Sequence, residues 1–203
     1  MEADPVNATT AKATAVVPGR SCGTCTLCCK LMRIPELDKP RLKWCANCEV
    51  GEGCRIYPDR PGSCRAFYCG YLVFPYLDER WFPAKARIVI GFEATRLAIH
   101  VDPARPAAWR QEPFYSQIRS WVQQGAHSRR QVLVWQGNEV IAPLPDGEQN
   151  LGAVRDDQLI ITREKPGPDG RKRWEAFVAE RDDPRFAGWD GRPAPLLDVP
   201  GSG

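Results

Sequence analysis

Nine cysteines lie between positions 22 and 69, and the 203-residue chain has none elsewhere. They are Cys22, Cys25, Cys28, Cys29, Cys45, Cys48, Cys54, Cys64 and Cys69. Such crowding has three chemical explanations: disulfides, thiol redox chemistry or metal ligation. An odd number cannot form a fully paired intrachain disulfide framework. A thioredoxin-like redox site needs its C-x-x-C beside a βαβ unit, and no such pattern surrounds these cysteines. Metal ligation suits the spacing. Two thiolates in C-x-x-C turn back onto one ion, about 2.3 Å from each sulfur for zinc. The run from Cys22 through Cys25 to Cys28 overlaps two such units, and Cys29 adds an adjacent thiol. Cys45 and Cys48 make a third unit; Cys54 follows across a glycine-containing loop, and Cys64 follows the Arg60-Pro61 turn.

Eight ligands, Cys22, Cys25, Cys28, Cys29, Cys45, Cys48, Cys54 and Cys64, suggest two four-coordinate sites, whereas nine could make a three-metal cluster with bridging thiolates. The expected cofactor is zinc, as two ions. Iron or an iron–sulfur cluster is the alternative, because all-thiolate sites suit both. Interleaved pairing, with each ion drawing sulfurs from both clusters, would cross-link residues 22–29 to residues 45–64. Arg20, Lys30, Arg33, Arg55 and Arg65 flank the sulfurs, either offsetting thiolate charge or forming a solvated rim. His100 and His127 read as ordinary surface or helix-end residues.

The elements that must position these sulfurs read as follows. Residues 1–19 form a mobile tail ending at Pro18-Gly19. Residues 20–80 form a turn-rich cysteine-cluster module. Within it, a helix is expected from 62 to 74, opened by Pro61 and ended by Pro75. On such a helix Cys64 and Cys69 would point about 140° apart, which sets Cys69 aside as a ligand. Residues 81–181 form an α+β module. Period-two alternation gives a hairpin from 87 to 101, and a second hairpin flanks Gly137-Asn138. A third has strands at 158–163 and 173–179 around the KPGPDGRK loop. Between the first two, residues 113–125 read as one amphipathic helix stopped by Gly125. Residues 182–203 read as a loose tail. The fold class is α+β: a turn-rich, metal-bound cysteine module followed by a small antiparallel sheet with one amphipathic helix.

Composition narrows the function classes. Hydrophobic residues are 43% of the chain, enough for a core, and the formal net charge is +3. Eight thiolates with two divalent ions would bring that to about −1, so the charge does not point to nucleic acid. No stretch approaches the ~20 apolar residues of a membrane span, and the opening residues lack a signal-peptide pattern. A cytoplasmic location is expected, where thiols stay reduced and metal binding is favoured over disulfides.

Cys22-Gly-Thr-Cys25-Thr-Leu-Cys28-Cys29, then Cys45 and Cys48, then GCRIYPDRPGSCR from Gly53 to Arg65, resemble the zinc- or iron-chelating CxxCxxCC cysteine-cluster family, also called YkgJ-like. The resemblance spans residues 20–75 and implies eight ligands, with Cys69 an extra. One branch with a related cysteine motif includes flagellin lysine methylases, which by analogy admits an iron–sulfur-dependent modifying enzyme. Against that stand the missing G-x-G-x-x-G, P-loop and H-E-x-x-H patterns. The acid pairs Asp156-Asp157 and Asp182-Asp183 fall in expected loops and read as solvated turns. A metal store or carrier would call for more cysteine or methionine, and Met occurs only twice. The leading expectation is a structural metal site supporting a module that binds a protein or small-molecule partner.

Overall fold

Alternating apolar residues at 88–101, apolar runs at 132–135 and 140–144, and the Gly137-Asn138 pair between the latter two, dictate the first two hairpins. The computed structural model describes residues 16–93, 95–186 and 188. The fold is mixed α+β, mostly sheet with few helices. Two compact units divide the chain. One takes the described residues up to Phe92 together with Ile99–Phe114, and the other takes Glu93–Ala98 and the chain from Tyr115 onward.

The first unit carries every cysteine, on or beside short elements: α1 (Leu27–Leu31), β1 (Cys48–Glu49), β2 (Gly53–Cys54), α2 (Gly62–Ala66), α3 (Gly70–Val73) and α4 (Pro83–Ala86). None exceeds five residues, too few for helical hydrogen bonds alone to sustain. The expected helix from 62 to 74 is therefore two helices. Phe67 turns extended (φ −84°, ψ 117°) at the end of α2. Cys69, also extended, opens α3. Packing explains the break: a side chain at Gly70 would come within 2.8 Å of Ile90, so α3 docks its backbone directly on the strand β3 (Ile88–Glu93). Strand β3 is hydrogen-bonded to β4 (Arg96–Val101).

Long-range side-chain bonds to backbone hold this unit where ladders do not. Arg20 donates to the carbonyl oxygens of Tyr71 (2.5 Å), Phe74 (2.8 Å) and Leu77, and lies over the Tyr71 ring. Val17 N–H donates to Leu72 O at 2.8 Å, fixing the last part of the expected N-terminal tail; residues 1–15 lie outside the described residues. Asp102, buried, accepts from Lys30 at 2.7 Å and from Arg87 at 3.5 Å.

The second unit is built on ladders. Strands β5 (Gln131–Gln136) and β6 (Glu139–Leu144) form the Gly137-Asn138 hairpin, with Gln136 opposite Glu139. Strand β7 (Gly147–Ala153) continues from β6. Its sequence, GEQNLGA, is polar and mostly exposed, with no apolar alternation to announce a strand. Strands β8 (Gln158–Pro166) and β9 (Lys172–Glu180) form the third hairpin, longer than its apolar residues suggest. Leu133, Val140, Ala142, Leu144, Ile160 and Ala176 make the core.

Helix α5 (Phe114–Ser128) runs three residues past Gly125. Its stop is a Schellman ending: Arg129 takes the left-handed position (φ 54°) and Arg130 N–H returns to Gly125 O at 2.7 Å. Gly125 is required for a different reason, since a Cβ there would sit 2.5 Å from Arg130 O. Of the expected C-terminal tail, Pro184–Phe186 forms a 3₁₀ turn whose Phe186 is buried against Phe177; residues 187 and 189–203 lie outside the described residues.

Candidate metal centre

Short turns present the sulfurs. Cys25 N–H donates to Cys22 O at 2.8 Å, and Cys48 N–H to Cys45 O at 3.0 Å. Cys22–Cys25 and Cys45–Cys48 are thereby each folded into one tight turn. Cys28 and Cys29 sit on α1, reached by a Cys29 N–H bond to Thr26 O at 2.9 Å. Cys45 N–H then bonds Cys29 O at 3.1 Å, joining the first cluster to the second. Thr26 Oγ1 accepts from Gly51 N at 3.1 Å and ties the β1–β2 hairpin to the same helix. In that hairpin Cys48 stands directly opposite Cys54.

All nine thiols are free; Cys54 stands opposite Cys48 on the hairpin, and the other eight fall into two neighbourhoods. The Cys29 thiol interacts with those of Cys28 and Cys48. Cys45 and Cys64 lie in the same electrostatic field, with the Lys39 ammonium facing Cys29, Cys45, Cys28 and Cys64. Cys22, Cys25 and Cys69 form the second neighbourhood. The Cys29 charge reaches Cys22 and Cys25 as well, which makes Cys29 the common neighbour. Among the described residues, no three or more His, Cys, Asp or Glu side chains are arranged to hold an ion as they stand.

The electrostatics follow from sulfurs packed together away from water. Hydrogen bonding to Cys28, then burial, push the Cys29 thiol far above its ordinary value. Burial first, then the Cys29 charge, push Cys48 up to about 11. Burial likewise pushes Cys69 up to about 11, only partly offset by the Leu72 amide. Cys22, Cys25 and Cys64 are also raised, chiefly by burial.

Two cations near the sulfurs escape a sequence reading. Lys39 is buried, donating to Lys30 O at 3.0 Å and to Met32 O. Arg60 faces Cys22 and stacks over the Tyr57 ring at 4.0 Å. Neither could be told from a solvated charge by its neighbours in sequence. The expected basic residues serve the backbone and a carboxylate instead: Arg20 the Tyr71–Leu77 carbonyls, Arg55 Ala46 O, Arg65 Arg60 O and Lys30 Asp102. His100 is not a surface residue. It is buried in β4, and burial, then Arg41, press its pKa down to about 3. His127 is at the end of α5, its Nδ1 2.8 Å from Gln123 O. Asp157 and Asp183 pair with Arg155 and Arg185 in turns.

The donor set fits a thiophilic metal in kind: soft sulfurs, gathered by turns, with no disulfide to remove them. Closing on an ion would require these thiols to draw together.

Comparison with protein-family models, with curated proteins and with solved structures finds no match for the chain.

Proposed function

We propose that the cysteine-bearing unit chelates zinc, or iron in its place, and that the metal is a structural centre. The reading keeps Cys22, Cys25, Cys28, Cys29, Cys45, Cys48, Cys54 and Cys64 as ligands of two ions, and it keeps the kinship with the CxxCxxCC cysteine-cluster family as part of the proposal. The observation that carries it is the pairing of many free thiols with very little regular structure: five of the nine cysteines stand on elements of two to five residues, and the other four stand in the turns and caps beside them. A divalent ion supplies the positive charge that takes protons from thiols such as Cys29 and Cys48 and holds them as thiolates.

The chain's own residues set the scene for that ligation. The Cys22–Cys25 and Cys45–Cys48 turns supply one pair of thiols each, α1 supplies Cys28 and Cys29, and the β1–β2 hairpin adds Cys54 opposite Cys48. Lys39 and Arg60 moderate the negative charge that full ligation would build up. A centre saturated with thiolates is closed, so its role is to fix shape, while the strand-rich module receives a protein or small-molecule partner. Consistent with a site away from membrane, no helix among the described residues is long and apolar enough to cross one.

Chelation tests the proposal. Stripping the metal from the purified protein should make residues 20–70 sensitive to protease while the β signal of the other unit persists. Unchanged protease resistance of that segment after complete metal removal contradicts a structural role.

A further inference from the structure

We infer that Cys69 is a metal ligand, grouped with Cys22 and Cys25. This inference rests on the metal reading above and changes its ligand set: the expected continuous helix would have turned Cys69 away from its neighbours.

Three observations carry it. First, the chain breaks at Phe67, so Cys64 and Cys69 belong to different helices and the two sulfurs are free of a shared helical phase. Second, Cys69 packs with Cys25 and Cys28 against one small apolar cluster of Leu27, Leu31 and Val89. A residue 41 positions after Cys28 is thereby brought to the CxxCxxCC segment by tertiary packing. Third, both residues stand at turns fixed by backbone bonds: Cys25 N–H donates to Cys22 O at 2.8 Å, and Leu72 N–H donates to Cys69 O at 2.9 Å.

A terminal role for Cys69 also makes sense of the fold. Gly70 admits no side chain against Ile90, and Leu72 N–H returns to Cys69 O at 2.9 Å. The sulfur therefore sits at a fixed corner where α3 meets β3. Ligation from that corner would cross-link the CxxCxxCC segment to β3 through α3. Cys22 is the most exposed of the nine thiols, so an ion could enter this group from the Cys22 side.

The test is metal content by elemental analysis of protein purified without air, with cobalt(II) substitution as the optical probe. Cys69→Val removes the donor and keeps apolar bulk. It should lose one of the ions that the wild-type chain holds, or hold it at least ~100-fold more weakly in a chelator competition. Full retention in Cys69→Val overturns the assignment. Should Cys69→Val fail to fold, Cys69→His decides the matter, because imidazole can replace the thiolate. Retained cobalt with a weaker sulfur-to-cobalt charge-transfer band supports ligation; retained cobalt with an unchanged band overturns it. A wild-type chain without metal defeats the proposed function itself, whereas a metal-loaded wild type with an equally loaded Cys69→Val defeats only this inference.

Discussion

The stretch from Arg20 to Phe74 and the stretch from Gln131 to Glu180 solve the same problem in opposite ways. The second closes ladders of six to nine residues over a core in which Leu133, Val134, Val140 and Ile161 are wholly buried. Burial of such side chains yields roughly 1.5–3 kcal/mol each, so that stretch carries its own stability. The first has few buried apolar residues: Leu27, Leu31 and Ile34, with Tyr71, Leu72, Val73 and Phe74 at its end. Between Lys39 and Ala66 its buried apolar content is Cys45 alone. A chain segment so poor in core needs cross-links, and thiols are the groups it has in quantity. The difference teaches where metal matters: in the segment that packing leaves under-determined.

Metal removal should expose the contrast most strongly. A structural zinc carries an apparent binding free energy of about 10–16 kcal/mol, so chelation should melt residues 20–70 and leave the ladders of β5–β9 largely protected in hydrogen exchange. Loss of protection in both stretches together would break the comparison.

The next effect in size belongs to Asp102. Its carboxylate is buried and paired with Lys30. Burial opposes ionisation, yet the Lys30 hydrogen bond and charge, the Ala104 amide and Arg87 hold its pKa below the usual carboxylate range. Asp102→Asn should cost about 3 kcal/mol at neutral pH by leaving the Lys30 ammonium without its carboxylate. A depressed carboxylate pKa stabilises the fold above the unfolded value near 4 and ceases to do so as pH falls through the folded value. Chemical denaturation across pH should therefore show the gap between wild type and variant narrowing below about pH 4.

In the strand-rich unit, Gln131→Leu should cost about 2 kcal/mol. The Gln131 side chain donates to Ile160 O at 2.9 Å and accepts from Arg96 at 2.9 Å, and leucine leaves both without that partner. Gly125→Ala should cost about the same, because the new methyl meets the Arg130 carbonyl. Elemental analysis should find metal content unchanged in both variants, which sharpens the division between the stretches. Least of all, Arg155→Ala at the exposed Asp157 and Glu180 pairs should leave the unfolding midpoint where it is.

What was legible in the sequence was local. Hairpins joined by short turns announce themselves through alternation, and the C-x-x-C turns through spacing. Gly125 misled because a glycine near a helix end usually stops it, whereas here Arg129 takes the left-handed residue's place. The helix from 62 to 74 misled because its periodicity continues across Phe67, while the close approach of Gly70 to Ile90 that breaks it is a tertiary fact. Lys39 and Asp102 were hidden for the same reason: Asp102 meets Lys30 across 72 residues, and no window along the chain contains both.

The most direct test of the account is elemental analysis with an absorption spectrum on protein purified without air. The account predicts about two divalent ions per chain, as zinc without a visible band. A chain free of zinc and iron would contradict it, and iron with sulfide and a brown band near ~400 nm would replace the structural role with iron–sulfur chemistry.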